Sequence, residues 1–220
     1  SSDVCSSDLT AAYSTEGVTF GNVEVQDTGE HGVRLGGSFP MRNIHFDSIT
    51  TLNTGAANGV GGAGFKILGY ETSPGVFAYH EDITVGDLSV TDVSLSAGVN
   101  NFSGIVLGNV NGLNIGSYLL KKRNHAASAK NGIFINNCQN VTINGVKASD
   151  VERTGLLVTT DSSVPTSELV KNIVIRGEID SLSSTANVIY FQTAALTVDG
   201  FTFDGTLRKG GAAIRSDAAT

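Results

Sequence analysis

Tryptophan is absent from this 220-residue chain, and methionine, cysteine and proline occur only once, twice and three times. Two cysteines are too few for a disulfide framework or a cysteine-based metal site. No apolar run reaches 18 residues, so the sequence predicts no membrane-spanning helix. The alanine, leucine, glutamate and lysine bias of helical proteins is also missing. What the chain has instead is 27 glycines, which favour short strands joined by tight turns.

The charge of the chain is negative, with a formal net value of −7. An acidic protein is a poor general binder of nucleic acid, so we predict no nucleic-acid partner. No motif for a cofactor stands out, and none is expected, although a divalent cation such as calcium remains an open alternative.

The first nine residues differ in character from the rest of the chain. Residues 1–9 (Ser-Ser-Asp-Val-Cys-Ser-Ser-Asp-Leu) resemble the translation of a sequencing-library adapter, and we set them aside as non-native. Without Cys5 only Cys138 remains, so no disulfide within the chain is expected. Residues 10–220 are predicted to form a single domain, which is a fragment of a longer chain.

A short pattern occurs seven times: Asn, Asp or Gly, then apolar, any residue, apolar, and then a bend. Alternation with a period of two is typical of strands, and recurrence every 26 to 39 residues indicates a stacked supersecondary unit. The residue between the two apolar positions is usually Thr, as expected for an outward strand position. The seven copies are 17–20, 43–46, 82–85, 112–115, 140–143, 172–175 and 200–203.

Each copy is followed by a second short strand and a third one. The third strands include 32–35, 64–67, 104–107, 132–135, 155–158 and 187–190. In the sixth and seventh copies the second strand slips by one residue, to Ile179 and Leu207. Three strands and three turns per repeat predict an all-β, three-faced parallel solenoid of about seven coils.

This pattern resembles the right-handed parallel β-helix of the pectin-lyase-like superfamily, over essentially residues 17–215. The resemblance rests on the repeat. It implies a fold shared by polysaccharide lyases and phage tailspikes. The hallmark motifs of polygalacturonases are missing, since Asn53-Thr54-Gly55 is only a degraded form of their Asn-Thr-Asp.

The strongest candidate for chemistry lies on the first two coils. Arg34 and Lys66 occupy the same outward position of successive third strands, where two cations suit an anion such as a uronate, sulfate or phosphate. In lyases of the resembled superfamily, Arg or Lys acts as base or charge neutraliser during β-elimination. Glu30 and His31 are the nearest acid or base groups. The candidate catalytic residues are therefore Arg34, Lys66, Glu30 and His31; anion binding without chemistry, and pairing of the cations with local carboxylates, are the alternatives.

Further candidate residues would contact substrate. Asp27, Asn53 and Asp92 lie nine positions after the start of their repeats, either as a carboxylate column or as structural turn residues. Tyr70, Tyr79 and His80 belong to an aromatic loop that could form a sugar-stacking wall or merely cover the side of the rod.

The outward positions of the later third strands are apolar. Val106, Phe134, Leu157 and Ile189 are predicted to stack on the outside of the solenoid, where they would be covered by a loop, a ligand or further subunits of a homotrimer.

Two functions follow from these features. The first is a polysaccharide-interacting domain, as a lyase or hydrolase that acts on an acidic polysaccharide. The alternative is a non-catalytic structural or adhesive part of a phage tail or bacterial surface protein. Both place the protein outside the cell, on a cell surface or on a virion, with a glycan as partner.

Overall fold

The computed structural model describes most of the residues of the chain. They are 7–10, 15–37, 39–55, 62–69, 71–73, 76–93, 103–123, 130–159, 169–181, 187–192, 196–209 and 211–217. Tyr70 lies outside the described residues. So do most of the long connections between coils.

The described residues form a parallel β-solenoid of about five turns with no helices, as the repeat predicted. Thirteen strands belong to one sheet with parallel pairing throughout, and β6 and β7 form a small antiparallel pair. The strands are β1 (Ser7–Thr10), β2 (Thr15–Gln26), β3 (Val33–Gly37), β4 (Met41–Thr54), β5 (Ala63–Gly69), β6 (Glu71–Ser73), β7 (Val76–Phe77), β8 (His80–Val93), β9 (Ser103–Lys121), β10 (Asn131–Val151), β11 (Thr154–Thr159), β12 (Leu169–Ser181), β13 (Asn187–Gln192), β14 (Thr197–Lys209) and β15 (Ala212–Ser216).

The strands stack in two columns. One column runs β2-β4-β8-β9-β10-β12-β14 and carries the first and second strands of the repeats; the other runs β1-β3-β5-β9-β10-β11-β13-β15 and carries the third strands. In the first column, five strands have neighbours on both sides, whereas β2 and β14 have one each. The repeat predicted about seven coils, whereas the solenoid has about five turns. β1 overlaps the adapter-like segment and pairs with β3.

Alternation along each first strand builds the core. Ile44 and Phe46 are 2% and 1% exposed, while His45 between them is only half-buried. The two apolar positions are buried in the same way in the five inner copies, and each such side chain contributes about 2 kcal/mol by leaving water. In the outer copies Val18, Phe20, Phe201 and Phe203 are only partly buried. The core is thus continuous along the axis and thins at both ends.

The residue that starts each repeat adopts a left-handed backbone conformation. This explains why only Asn, Asp and Gly occupy the position, because they tolerate a positive φ. The values lie between 52° and 85° for Gly17, Asn43, Asp82, Gly112, Asn140, Asn172 and Gly200.

Two details of register differ from the prediction. The pairing of β10 with β12 does shift by one residue between Ile143 and Val146, but in the direction opposite to the predicted slip, so that Ile179 pairs with Ala148 and not with Val146. The outward placement of Ile189 was wrong: Ile189 pairs with the inward Leu156 and is 1% exposed. Tyr190 takes the outward position instead, opposite Leu157. Because residues 188–191 are all apolar or aromatic, alternation does not define which side faces the core.

Candidate functional site

Two neighbouring strands of the third-strand column bring the basic candidates together. Arg34 on β3 and Lys66 on β5 are register partners, so their side chains leave adjacent strands about 4.8 Å apart on one face. The backbones approach closely just before both residues. A Cβ atom at Gly32 would lie 2.5 Å from the Gly64 carbonyl oxygen and from the Thr51 methyl carbon, so glycine is required there. This close approach of the Gly32 and Gly64 backbones restrains the chain just before Arg34.

His31 joins this pair. Its Nδ1 atom lies 3.1 Å from the backbone nitrogen of Ala63, and its Nε2 atom lies 3.1 Å from Nζ of Lys66. His31 is 5% exposed, whereas Arg34 and Lys66 are half-buried. We refer to His31, Arg34 and Lys66 as the basic cluster. The contact between His31 and Lys66 spans 35 residues of sequence, so no local pattern could have predicted it.

The electrostatics of the basic cluster keep its imidazole uncharged. Burial, assisted by the positive charges of Lys66 and Arg34, lowers the pKa of His31 from 6.5 to about 3. His31 is therefore neutral at physiological pH. Glu30, the adjacent acidic candidate, is exposed, which leaves its carboxylate in contact with water.

The Asp and Asn candidates lie at one turn of the solenoid. Asp27, Asn53 and Asp92 have left-handed φ angles of 56°, 52° and 54°. Asn53 Nδ2 donates a hydrogen bond of 2.8 Å to Asp27 Oδ1, and Asp92, 4% exposed, accepts one of 2.6 Å from the backbone nitrogen of Arg123. These contacts hold successive coils in place, as turn residues do.

Two of the aromatic-loop candidates, Tyr79 and His80, make hydrogen bonds to other coils. His80 is fully buried, its Nδ1 accepts a hydrogen bond of 3.1 Å from the backbone nitrogen of Met41, and burial lowers its pKa despite an opposing effect of the Leu68 backbone. The Tyr79 hydroxyl donates to Oδ1 of Asn137 at 3.0 Å. Tyr70 lies outside the described residues. Tyr79 and His80 thus both bind other parts of the solenoid.

Beyond Lys66 the outward column becomes apolar. Val106, Phe134 and Leu157 follow Lys66 in register and are half-buried; we call them the apolar column. Tyr190 and Arg215 continue it, with the Arg215 guanidinium carbon 5.0 Å from the centre of the Tyr190 ring. One outward face of the solenoid therefore carries cations at both ends and apolar or aromatic groups in the middle.

A groove that the sequence did not reveal runs along the other column. It is open, with a volume of about 480 Å³, and it crosses the first strands of four successive coils. Its polar lining mixes hydroxyl, amide, imidazole and carboxylate groups at the outward positions and at the starting turns. These residues are His45, Thr84, Asn114 and Thr142, and Asn43, Asp82 and Asn140.

Two features are missing from the residues that the structure describes. These residues contain no group of three or more His, Cys, Asp or Glu side chains placed to hold a metal ion. Nor do they include a helix of the length and apolarity needed to cross a membrane.

Comparison of the chain with protein families, with curated proteins and with solved structures found no match.

Proposed function

We propose that this chain is a polysaccharide-interacting β-solenoid and that the basic cluster binds the acidic group of a sugar. The observation that carries the proposal is the register of Arg34 with Lys66 on an outward face, with His31 in contact with Lys66. Arginine is charged at every relevant pH and its planar donors match a carboxylate, so Arg34 supplies the charge and Lys66 a second donor.

The chemistry that suits this arrangement is β-elimination from a uronate. Neutralising the carboxylate acidifies the neighbouring C5 proton, and a basic nitrogen beside the carboxylate can accept that proton. Lys66 is such a nitrogen. His31 lies 3.1 Å from it but is too weak a base for this step, because its pKa is lowered to about 3 and its Nδ1 already accepts the Ala63 N–H group. The C4–O bond of the glycosidic linkage then breaks as a C4=C5 double bond forms, and the departing oxygen takes up a proton from the protonated nitrogen or from water, which leaves an unsaturated sugar end.

Hydrolysis by a pair of carboxylates receives less support. Inverting hydrolases separate an acid and a base by about 6.5–9.5 Å across an open cleft. Asp92 is instead buried against the Arg123 backbone, and Asp27 bonds Asn53. We therefore favour the lyase over the hydrolase.

The test is binding and cleavage of polygalacturonate, with dextran as the neutral control. We expect Arg34→Ala to weaken binding of polygalacturonate by roughly 10- to 100-fold, because a charge-assisted contact is lost. Arg42→Ala is the matched control, since Arg42 is exposed and forms a surface ion pair of 2.7 Å with Glu81. Equal binding of the two glycans, or equal loss in both variants, would overturn the proposal.

Cleavage is read separately by chain length and by ultraviolet absorbance of unsaturated ends. Shortened chains with new absorbance support the lyase. Shortened chains without absorbance contradict β-elimination, and binding without shortening limits the function to recognition.

A structural function is the second candidate, and the apolar column is the observation that favours it. Val106, Phe134 and Leu157 stack in register on an outward face, as an intersubunit contact would require. Sedimentation equilibrium of the wild type and of Phe134→Asp tests this structural function. A wild-type trimer that dissociates in the variant supports it, and a monomeric wild type contradicts it.

A further inference from the structure

Four outward side chains of the first-strand column lie in register along the groove. His45 pairs with Thr84, Thr84 with Asn114, and Asn114 with Thr142, so each step is one strand spacing, about 4.8 Å. We call these four residues the polar ladder. All four line the groove, and none of them is fully buried. The polar ladder is therefore a row of evenly spaced hydrogen-bonding groups that a ligand in the groove can reach.

Most of the hydrogen-bonding capacity of the polar ladder is unused within the described part of the chain. There, the hydroxyls of Thr84 and Thr142 and the side-chain amide of Asn114 bond no other residue. His45 uses Nε2, which donates to a carboxylate oxygen of Asp47 at 3.0 Å, so its Nδ1 atom is left as an acceptor. Each ladder position thus offers at least one polar atom to a ligand.

The starting turns beside the polar ladder set the charge and the width of the groove. Asn43, Asp82 and Asn140 carry polar side chains there, whereas Gly112 has none. A Cβ atom at Gly112 would lie 2.8 Å from Oδ1 of Asp82, so the glycine leaves space next to this carboxylate. Among the described residues that line the groove, there is one carboxylate and no lysine or arginine. The groove therefore disfavours an anionic ligand.

These groups suit an uncharged carbohydrate. A sugar hydroxyl both donates and accepts a hydrogen bond, so it pairs with a hydroxyl, an amide or an imidazole acceptor. In an extended β-1,4-linked glycan, successive sugars advance by about one strand spacing, so the ladder positions keep step with the sugars. We propose that the polar ladder is a second glycan site, which binds a linear, uncharged, β-linked oligosaccharide along the solenoid axis.

This site is separate from the basic cluster of the proposed function. The polar ladder lies on the first-strand column, whereas Arg34 and Lys66 lie on the third-strand column. The two sites also differ in the ligand that they select, since one binds an acidic group and the other only hydroxyl groups. The inference therefore stands or falls without the proposed function.

The probe is cellohexaose, titrated into the ¹⁵N-labelled protein and followed by the shifts of the backbone amide signals. Hydrogen bonds to sugar replace hydrogen bonds to water, so we expect weak binding with a Kd of roughly 1 mM. The signals that shift should be those of 43–46, 82–85, 112–115 and 140–143. Maltohexaose is the matched ligand control, because it has the same composition but a curved chain. Equal affinity for the two sugars, or no shift of these signals at about 10 mM cellohexaose, would overturn the inference.

Two variants test the ladder itself. Thr84→Val and Thr142→Val each remove one hydroxyl, and the fold accepts valine there because Val174 occupies the same position on the next coil, in register with Thr142. We expect each variant to weaken the binding of cellohexaose by about 3- to 10-fold. Thr202→Val is the matched control, since Thr202 pairs with Val174 and does not line the groove. Equal weakening in Thr202→Val would contradict a site on the polar ladder.

Arg34→Ala separates this inference from the proposed function. Cellohexaose has no acidic group, so its binding should be unchanged in Arg34→Ala, whereas binding of polygalacturonate is lost. Weaker binding of cellohexaose in Arg34→Ala would place this sugar at the basic cluster and overturn the second site. Failure of the protein to bind polygalacturonate would overturn the proposed function alone.

Discussion

At the scale of single residues, the hydroxyl of Tyr118 is a polar group inside an apolar core. Tyr118 is fully buried and donates a hydrogen bond of 2.9 Å to the Gly132 carbonyl oxygen, and burial raises its pKa. A Cβ atom at Gly104 would lie 2.0 Å from this hydroxyl, so the glycine makes room for it. We predict that Tyr118→Phe lowers the free energy of unfolding by about 1–2 kcal/mol, measured by urea denaturation.

Tyr190→Phe is the control for that prediction. Its hydroxyl bonds the exposed Asp217, where water can replace the lost partner. A change below about 0.5 kcal/mol is expected. Equal losses of unfolding free energy in the two variants would show that the buried hydrogen bond stabilises the fold no more than the exposed one does.

The two buried histidines predict acid sensitivity. His31 and His80 each accept a backbone N–H group at Nδ1, so protonation of that nitrogen breaks the bond. Both folded-state pKa values are lowered, that of His31 to about 3, whereas the unfolded value is about 6.5. Below pH 6.5 the unfolded chain therefore binds protons that the folded chain does not. Stability should fall as the pH drops from 6.5 to 5, by at most about 1.4 kcal/mol per pH unit for each histidine.

The measurement is the free energy of unfolding at several pH values in that window, where the carboxylates contribute least. His80→Gln should make the dependence shallower. His45→Gln is the matched control, because His45 lies at an outward position and contacts Asp47 at the surface, where water can replace the contact. A flat profile for the wild type would contradict the assignment of both buried histidines as acceptors.

At the scale of elements, a ladder of side chains joins three coils at one corner. Asn137 Nδ2 donates to Asn109 Oδ1 at 2.6 Å, and Asn109 Nδ2 donates to the Gly69 carbonyl oxygen at 2.8 Å. Both asparagines are buried and left-handed. We predict that Asn137→Gly, which keeps the backbone conformation, costs about 1–3 kcal/mol of unfolding free energy through unsatisfied polar groups. Asn137→Ala should cost about 1–2 kcal/mol more.

The exposed asparagine ladder is the matched control. Asn140 is also left-handed, and its side chain bonds Asn111 and Asn172 at the surface. Because water can replace these bonds, Asn140→Gly should cost less than about 1 kcal/mol. If Asn137→Gly and Asn140→Gly are equally mild, the buried ladder does not lock the coils.

The elements that the sequence predicted well are those that a local rule specifies. Alternation placed Ile44 and Phe46 in the core, and the repeated Asn, Asp or Gly marked the turn that begins each first strand. The rule failed at Ile189, where four successive apolar residues fit either face. Alternation also could not predict the contact of His31 with Lys66, because that contact depends on how two coils of different length come into register. The groove was missed for the same reason, since it exists only between coils.

At the scale of the whole molecule, each coil of the solenoid packs only on the coils next to it, so no single coil contacts all the others. Stability in such a structure is a sum of terms between adjacent coils, so the ends open more readily than the middle. β9 and β10 have neighbours on both sides in each column and contain many fully buried side chains. β15 pairs only with β13, and its side chains are exposed, with Ile214 at 60%.

Amide hydrogen exchange of the native protein should therefore be graded along the axis. We expect the slowest exchange in β9 and β10, intermediate rates in β4 and β12, and the fastest in β2, β14 and β15, measured by mass spectrometry of overlapping peptides. Arg34 and Lys66 of the basic cluster lie on β3 and β5, between the slowly exchanging middle and the fast end. If every strand instead exchanged at one common rate, the solenoid would open as a single unit, and the description by adjacent coils would be wrong. A graded profile would mean that the position of a site along the axis sets how often it opens, with Arg34 exposed to local opening more often than Phe134.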